Sequence, residues 1–482
     1  MFQASEYTDL LTQLERFFLA SADLGVTQPT DPDRLRSQIA LDLPQYGRPL
    51  EDLKADIASY LDNAIKTAHP AYFNQLWGGF NSACFMADMV TSAANTSMYT
   101  YEVAPVATLI EQLLVDKMSH LVGFEKAEGQ FTTGGSNGNL MAMAIARHHK
   151  LPVIKQNGLA GAPRLIAFVS EESHYSFDKA AHLLGIGTEQ LWKVPADSNG
   201  KMDVTALEDL IGKAKIQGAM PFFVAGTAGT TVRGAFDPFE EIGAIAQREN
   251  LWFHIDGAWG ASVLLSPAHR ALMKGAEQAD SLVWDAHKMM GMTLMCSLLL
   301  VKQPGKMLDT FSTRGTEYLF HNETGADKLL ENAESIDFGP ATMHCGRRVD
   351  AVKLWLAWQH LGDRGWAALI DRYFELANQA EAIVAAHPSL ELVSSRESVN
   401  ICFRYWPQAS QLHTAEHTKH LTLAIRKTLW EKGLAMVNYA QVKELTVFRL
   451  VICNNQTTPE TITRLFEDLV KVGQQLEGEM LA

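Results

Sequence analysis

Cysteine is scarce in this chain and scattered. The five cysteines, Cys84, Cys296, Cys345, Cys402 and Cys453, form no CxxC pair and share no repeated spacing. An odd, sparse set reads as free thiols in a reducing compartment rather than a disulfide framework. Long apolar runs are also missing: no window approaches the roughly 20 residues that a membrane helix requires. The first residues lack the charged start and apolar stretch of a secretory leader, so the expected location is the cytoplasm. Basic residues are too few for a nucleic-acid surface, because the formal net charge is -14 at pH 7 and a phosphate backbone demands clustered Lys and Arg. An anionic small molecule stays open, since local fields decide that. There is no internal repeat and no H-E-x-x-H pair, and no metal site is expected.

What remains is an ordinary soluble composition spread over 482 residues, more than a single core usually spans. Three parts are expected. Residues 1–68 show helix spacing at Leu10, Leu11, Leu14, Phe17 and Phe18, broken at Asp31-Pro32, and read as an N-terminal helical arm. Such an arm cannot bury its apolar face alone and should cover another domain or subunit. Residues 69–355 alternate short apolar runs, such as 165–169, 221–225 and 297–301, with helix-length segments. That pattern predicts a large α/β domain whose mainly parallel sheet is covered by helices. Residues 356–482, mostly helical with strand candidates at 399–405 and 445–452, read as a small α+β domain.

Ligands in parallel sheets bind at the carboxyl ends of the strands. His174, Thr227, Asp256 and Lys288 each follow an apolar run, so one cleft could collect them. A Lys and an Asp delivered by two strand ends suit pyridoxal 5'-phosphate. The amine would hold the cofactor as a Schiff base, and the carboxylate would keep its ring nitrogen protonated. Taken singly, Lys288 fits a surface lysine and Asp256 fits a strand-end cap. Ala258 would leave room for a flat ring. The run Thr132-Thr133-Gly134-Gly135-Ser136-Asn137-Gly138-Asn139 opens a helical segment and offers free N–H groups to a phosphate. Alone it is a weak signal, and it lacks the Lys of a nucleotide-binding loop. His174 could lie flat on the ring, although a lone His is more often structural.

These residues sit in a longer series of motifs. The series includes His69-Pro70, Phe73-Asn74-Gln75-Leu76, Thr100-Tyr101-Glu102-Val103-Ala104-Pro105, Ser173-His174-Tyr175-Ser176, Ala228-Gly229-Thr230-Thr231, Gly234-Ala235-Phe236-Asp237-Pro238, His287-Lys288-Met289-Met290 and Cys345-Gly346-Arg347-Arg348-Val349-Asp350. In that order they resemble the group II pyridoxal-phosphate-dependent amino-acid decarboxylases. The resemblance is closest to the acidic-substrate branch acting on glutamate, cysteine sulfinate or aspartate, and it extends over about residues 65–480.

The resemblance implies a fold-type I enzyme, aspartate-aminotransferase-like, working as a homodimer with its sites at the subunit interface. It makes Lys288 the Schiff-base lysine, Asp256 the ring-nitrogen partner and His174 the stacking residue. It puts Gly135, Ser136 and His287 at the phosphate, Thr227 near the ring, and Gln75 and Arg449 on the substrate carboxylate. Tyr318, in Glu317-Tyr318-Leu319-Phe320, matches a loop tyrosine that returns a proton to Cα after carbon dioxide leaves. Trp77 stands where glutamate-acting relatives carry a small residue and cysteine sulfinate-type relatives an aromatic. A shorter pocket is therefore expected, favouring aspartate or cysteine sulfinate, with β-alanine or hypotaurine as product. Glutamate decarboxylation, or transamination or lyase chemistry on the same fold, is the alternative reading. The chain departs from the family at Asp285-Ala286, where Asn-Pro is usual before His-Lys, at Gly226, and at Phe338-Gly339-Pro340-Ala341.

Overall fold

The computed structural model describes the chain except residues 1–3, 24, 28–29, 40 and 315–336. The strands, in chain order, are β1 (Tyr72–Phe73), β2 (Glu128–Thr132), β3 (Leu165–Ser170), β4 (Leu191–Val194), β5 (Met220–Thr227), β6 (Trp252–Asp256), β7 (Ser281–Asp285), β8 (Ser297–Val301), β9 (Leu390–Leu392), β10 (Asn400–Tyr405), β11 (Met436–Val442) and β12 (Leu445–Val451). Two compact units hold them. One comprises Asn81–Phe374 with Arg396–Ser398, and the other Met1–Phe80, Glu375–Ser395 and Val399–Ala482.

The larger unit is built on a seven-stranded sheet in the order β2-β8-β7-β6-β5-β3-β4. Strands β7, β6, β5, β3 and β4 run parallel, as the apolar runs predict. Strand β8 is antiparallel to both β7 and β2. Every residue of β3, β6, β7 and β8 is buried, which is why these segments read as unbroken apolar runs rather than alternations. The helix Gly135–Lys150 covers one face, setting Met141, Ile145 and Ala146 against Leu165, Val169, Phe177 and Phe223. Pairing of β5 with β6 sets Thr227 beside Asp256, and pairing of β6 with β7 sets Asp256 beside Val283. The carboxyl ends of β5 and β6 thus come level, and β7 runs two residues further, to Asp285.

The smaller unit carries a five-stranded sheet in the order β1-β11-β12-β10-β9. Strand β1 adds in parallel to β11, with Tyr72 opposite Met436, so residues just before 80 belong with the C-terminal strands. The amino-terminal segment forms helices Ala4–Asp23, Pro32–Gln38 and Leu53–Asn63. Asp31 caps the second by accepting the N–H groups of Asp33 and Arg34, with Pro32 at the first helical position. Leu11, Leu43, Tyr46 and Tyr60 are exposed there.

Candidate active site

In the larger unit the site grows from the Gly-rich turn. Gly135 starts its helix close to the ends of β6 and β7. A Cβ added there would lie 2.8 Å from Asp285 Oδ2 and 3.1 Å from the Ala258 methyl. At Gly138 an added Cβ would fall 2.4 Å from Val283 Cγ2, so only glycine lets the helix rest on β7. The first N–H groups of that helix, those of Gly135 and Ser136 among them, have no partner within it and favour an anion.

Asp256 ends β6, buried and held on both oxygens. Oδ1 accepts the Ala258 N–H at 3.2 Å and Oδ2 accepts Asn139 Nδ2 at 2.9 Å. Asn139 Oδ1 lies 2.9 Å from His254 Nε2, and His254 Nδ1 lies 2.8 Å from Ser281 Oγ, which accepts the Trp252 indole N–H. A carboxylate only accepts, so the Asn139 amide must point its NH2 at Asp256 and its oxygen at His254. His254 therefore carries its proton on Nε2 and accepts from Ser281 on Nδ1. Burial pushes its pKa down to about 3, keeping the imidazole neutral. The whole relay is satisfied and uncharged up to Asp256. Period-two reasoning could have found part of it, because His254 and Asp256 share a strand face. Asn139 carried no comparable signal.

Thr227 ends β5. Its N–H donates to Asp237 Oδ2 at 2.7 Å, while its buried Oγ1 makes no hydrogen bond. Asp237 also accepts the Met202 N–H at 2.7 Å, and burial pushes its pKa up to about 7. His174, half-buried after β3, accepts the Ser176 N–H on Nδ1 at 3.2 Å. Burial lowers its pKa, against the pull of Asp256, which favours the neutral ring. His287 is buried, with Nδ1 2.9 Å from the Cys296 carbonyl. Burial lowers its pKa too, against the pull of Asp285. Lys288 Nζ lies 3.1 Å from Asp285 Oδ2, and His287 Nε2 lies 3.6 Å from the same oxygen.

Pyridoxal phosphate fits this set. A glycine turn that a Cβ would fill, a buried hydroxyl without a partner, a neutral half-buried imidazole, a lysine amine and a doubly held carboxylate occur together at adjacent strand ends. Asp285 is the one member that adds negative charge beside the turn.

The other predicted residues lie in the smaller unit. Arg449, on β12, is buried, and its Nη2 donates to the Asn74 carbonyl at 3.0 Å. Burial lowers its pKa. Gln75 follows Asn74, and its Oε1 accepts the Trp77 indole N–H at 2.7 Å. Gln75, Trp77 and Arg449 are thus gathered around one turn. Tyr318 lies outside the described residues.

A model of the pyridoxal-dependent decarboxylase conserved domain matches residues 32–406. The chain belongs to that family. This decarboxylase is 37% identical to human cysteine sulfinic acid decarboxylase over 462 residues, covering 95% of this chain and 92% of that one. It is 36% identical to mouse acidic amino acid decarboxylase GADL1 over 471 residues, covering 96% and 84%. A crystal structure of mouse CSAD superimposes with a TM-score of 0.93 at 33% identity, covering 98% of both chains. The decarboxylase is therefore a pyridoxal-phosphate-dependent enzyme of fold type I, as its motif series implies. Family membership does not favour transamination as its main reaction.

Proposed function

We propose that this enzyme removes the α-carboxylate of a short acidic amino acid, aspartate or cysteine sulfinate, to give β-alanine or hypotaurine. The observation that carries the reading is the meeting of Lys288, Asp256 and Thr227 at adjacent strand ends beside the Gly135 turn. The names of the two relatives support an acidic substrate.

When bound, pyridoxal phosphate supplies an electron sink for the pair left at Cα by departing carbon dioxide. Lys288 would anchor it covalently. Asp256 would partner its ring nitrogen, and the Asn139–His254 relay keeps that carboxylate in one rotamer. His174, Ala258 and Thr227 would line the space for its ring. Gly135, Ser136 and His287 would hold its phosphate. Gln75 and Arg449 hold the substrate carboxylate, for which the planar guanidinium fork is suited. Tyr318 returns a proton to Cα. The residues that hold the substrate would select decarboxylation by orienting the carboxylate to be lost.

Cofactor-loaded protein, offered aspartate, cysteine sulfinate and glutamate in parallel, is expected to release carbon dioxide and amine fastest from one of the first two. Keto acid as the main product, or glutamate as the preferred substrate, would sink the assignment. Trp77 is the proposed length gauge. Trp77→Ser is expected to raise the kcat/KM ratio for glutamate over aspartate by about tenfold, the scale of one or two methylenes of pocket length. An unchanged ratio removes the gauge.

We infer a homodimer in the cytoplasm. Met86, Met89 and Val90 on the helix Ser82–Ala94, and Val106, Leu109 and Leu113 on the helix Pro105–Val122, are exposed, more apolar side chains than a solitary surface usually leaves open. Among the described residues no helix is long and apolar enough to cross a membrane, and all five cysteines are free. Leu109→Asp with Leu113→Asp is expected to halve the mass seen by sedimentation. A mass of two chains in that variant would move the interface elsewhere.

A further inference from the structure

Asp285 is the charged group beside Lys288 in the larger unit's site, and the proposed function gives it no role. Its side chain is 2% exposed, with Oδ2 3.1 Å from Lys288 Nζ, and its Oδ1 makes no hydrogen bond. The groups that face it are few. Lys288 and His287 come from the loop that follows it, Cys296 from just before β8 and Ser297 from the first position of β8, directly opposite by register, with its hydroxyl also holding the Asp285 pKa down. His174 senses it from the loop after β3. The Gly135 turn and the Ala258 methyl close the remaining side. Asp256 is committed to Asn139 and Ala258, and Lys353 is paired with Asp350 at 2.9 Å.

An ammonium is not a nucleophile, so Lys288 must shed a proton before its nitrogen can join an aldehyde carbon. If that proton left for solvent, the site would keep a buried carboxylate stripped of its cation, which is costly. Burial by itself raises the pKa of Asp285, and Lys288, His287 and the Ser297 hydroxyl together hold it below the ordinary carboxylate value, with Lys288 the largest of the three. Once the lysine charge is gone, the largest part of that opposition goes with it and the balance moves toward the neutral acid.

We propose that Asp285 is a positioning residue for cofactor capture: it holds Lys288 as an ammonium against the glycine turn in the free protein, and takes one proton from Nζ as Nζ joins the aldehyde. The step balances. One Nζ proton passes to an Asp285 oxygen, a C–N bond forms, and the other two Nζ hydrogens leave with the aldehyde oxygen as water. Nothing is oxidised or reduced. The inference rests on Lys288 being the anchor.

The test follows capture of pyridoxal 5'-phosphate by cofactor-free protein in a stopped-flow spectrophotometer across pH, for wild type and Asp285→Asn. The midpoint of the capture-rate profile is expected to move down by roughly one pH unit or more in the variant, the scale of losing an adjacent opposite charge, with capture near neutrality about tenfold faster. Unphosphorylated pyridoxal is expected to show the same displacement. Superimposable profiles overturn the proposal. So does an acceleration confined to the phosphorylated aldehyde, which would make Asp285 a simple repeller of phosphate. If the variant fails to fold, infrared difference spectra of wild-type protein carrying carboxyl-labelled aspartate decide: loading is expected to create a protonated-carboxyl band, and its absence overturns the idea. Borohydride fixation followed by peptide mapping separates the two levels, because a label on a lysine other than 288 defeats the anchor reading itself.

Discussion

Lys288→Ala is expected to leave no cofactor that borohydride can fix to the protein and to cut turnover by roughly 10³-fold or more, on the scale of losing a covalent catalytic group. Retention of a fixed cofactor on the mutant would assign the anchor to another lysine. The same substitution predicts an unusual stability profile for the cofactor-free protein. In wild type, Lys288, His287 and Ser297 together outweigh burial and depress the pKa of Asp285. A depressed carboxylate contributes stability that is present above its unfolded pKa and is lost as pH falls through its folded pKa. Without Lys288, the largest cause opposing burial is lost, and the folded pKa is expected to rise. The variant is then penalised at neutral pH and recovers relative to wild type as acid protonates Asp285. The neutral-pH loss should be about 3–5 kcal/mol, the cost of breaking a buried pair from one side. Urea unfolding of both proteins at neutral and mildly acidic pH checks it. A stability difference independent of pH would show that the pair is not electrostatically important.

The second large effect is expected at Arg449. Arg449→Met keeps the apolar stem and removes the fork. For an acidic substrate, kcat/KM should fall by about 2–5 kcal/mol, thirtyfold or more, the cost of removing one partner of a desolvated charge pair. The loss should appear mainly in KM if Arg449 grips substrate and transition state alike. The Asn74 carbonyl also loses its donor, so melting should be measured beside kinetics. A variant that decarboxylates aspartate and cysteine sulfinate with unchanged KM would reduce Arg449 to a clamp on the Asn74 turn.

Much of this architecture was legible because buried parallel strands announce themselves as apolar runs, and because polar residues directly after such runs gather at one edge of the sheet. The runs at 165–169, 221–225 and 297–301 fall within β3, β5 and β8. Direction was not legible: a run of five apolar residues looks the same in either sense, so the antiparallel β8 could not be told from its parallel neighbours. Strand β11 stayed hidden because Asn438, Tyr439 and Gln441 interrupt it, and only Val437 and Val442 of its residues are buried. Strand β1 is two residues long and exists only by pairing with β11. In the candidate site, Lys288 and Asp256 were readable from chain order. The Asn139–His254 relay and the Asp285–Lys288 contact were not, since each joins side chains whose proximity depends on how strands, loop and helix meet.

The relay behind Asp256 has a kinetic consequence. Trp252, Ser281, His254 and Asn139 pass only dipoles to the carboxylate, and His254 stays unprotonated until about pH 3. Acidifying the medium over the working range therefore changes no charge along that chain. Inflections in a rate-versus-pH curve are not expected from this relay but from other groups, such as Asp237 beside Thr227, whose pKa burial raises to about 7, the anchor or the amino acid itself.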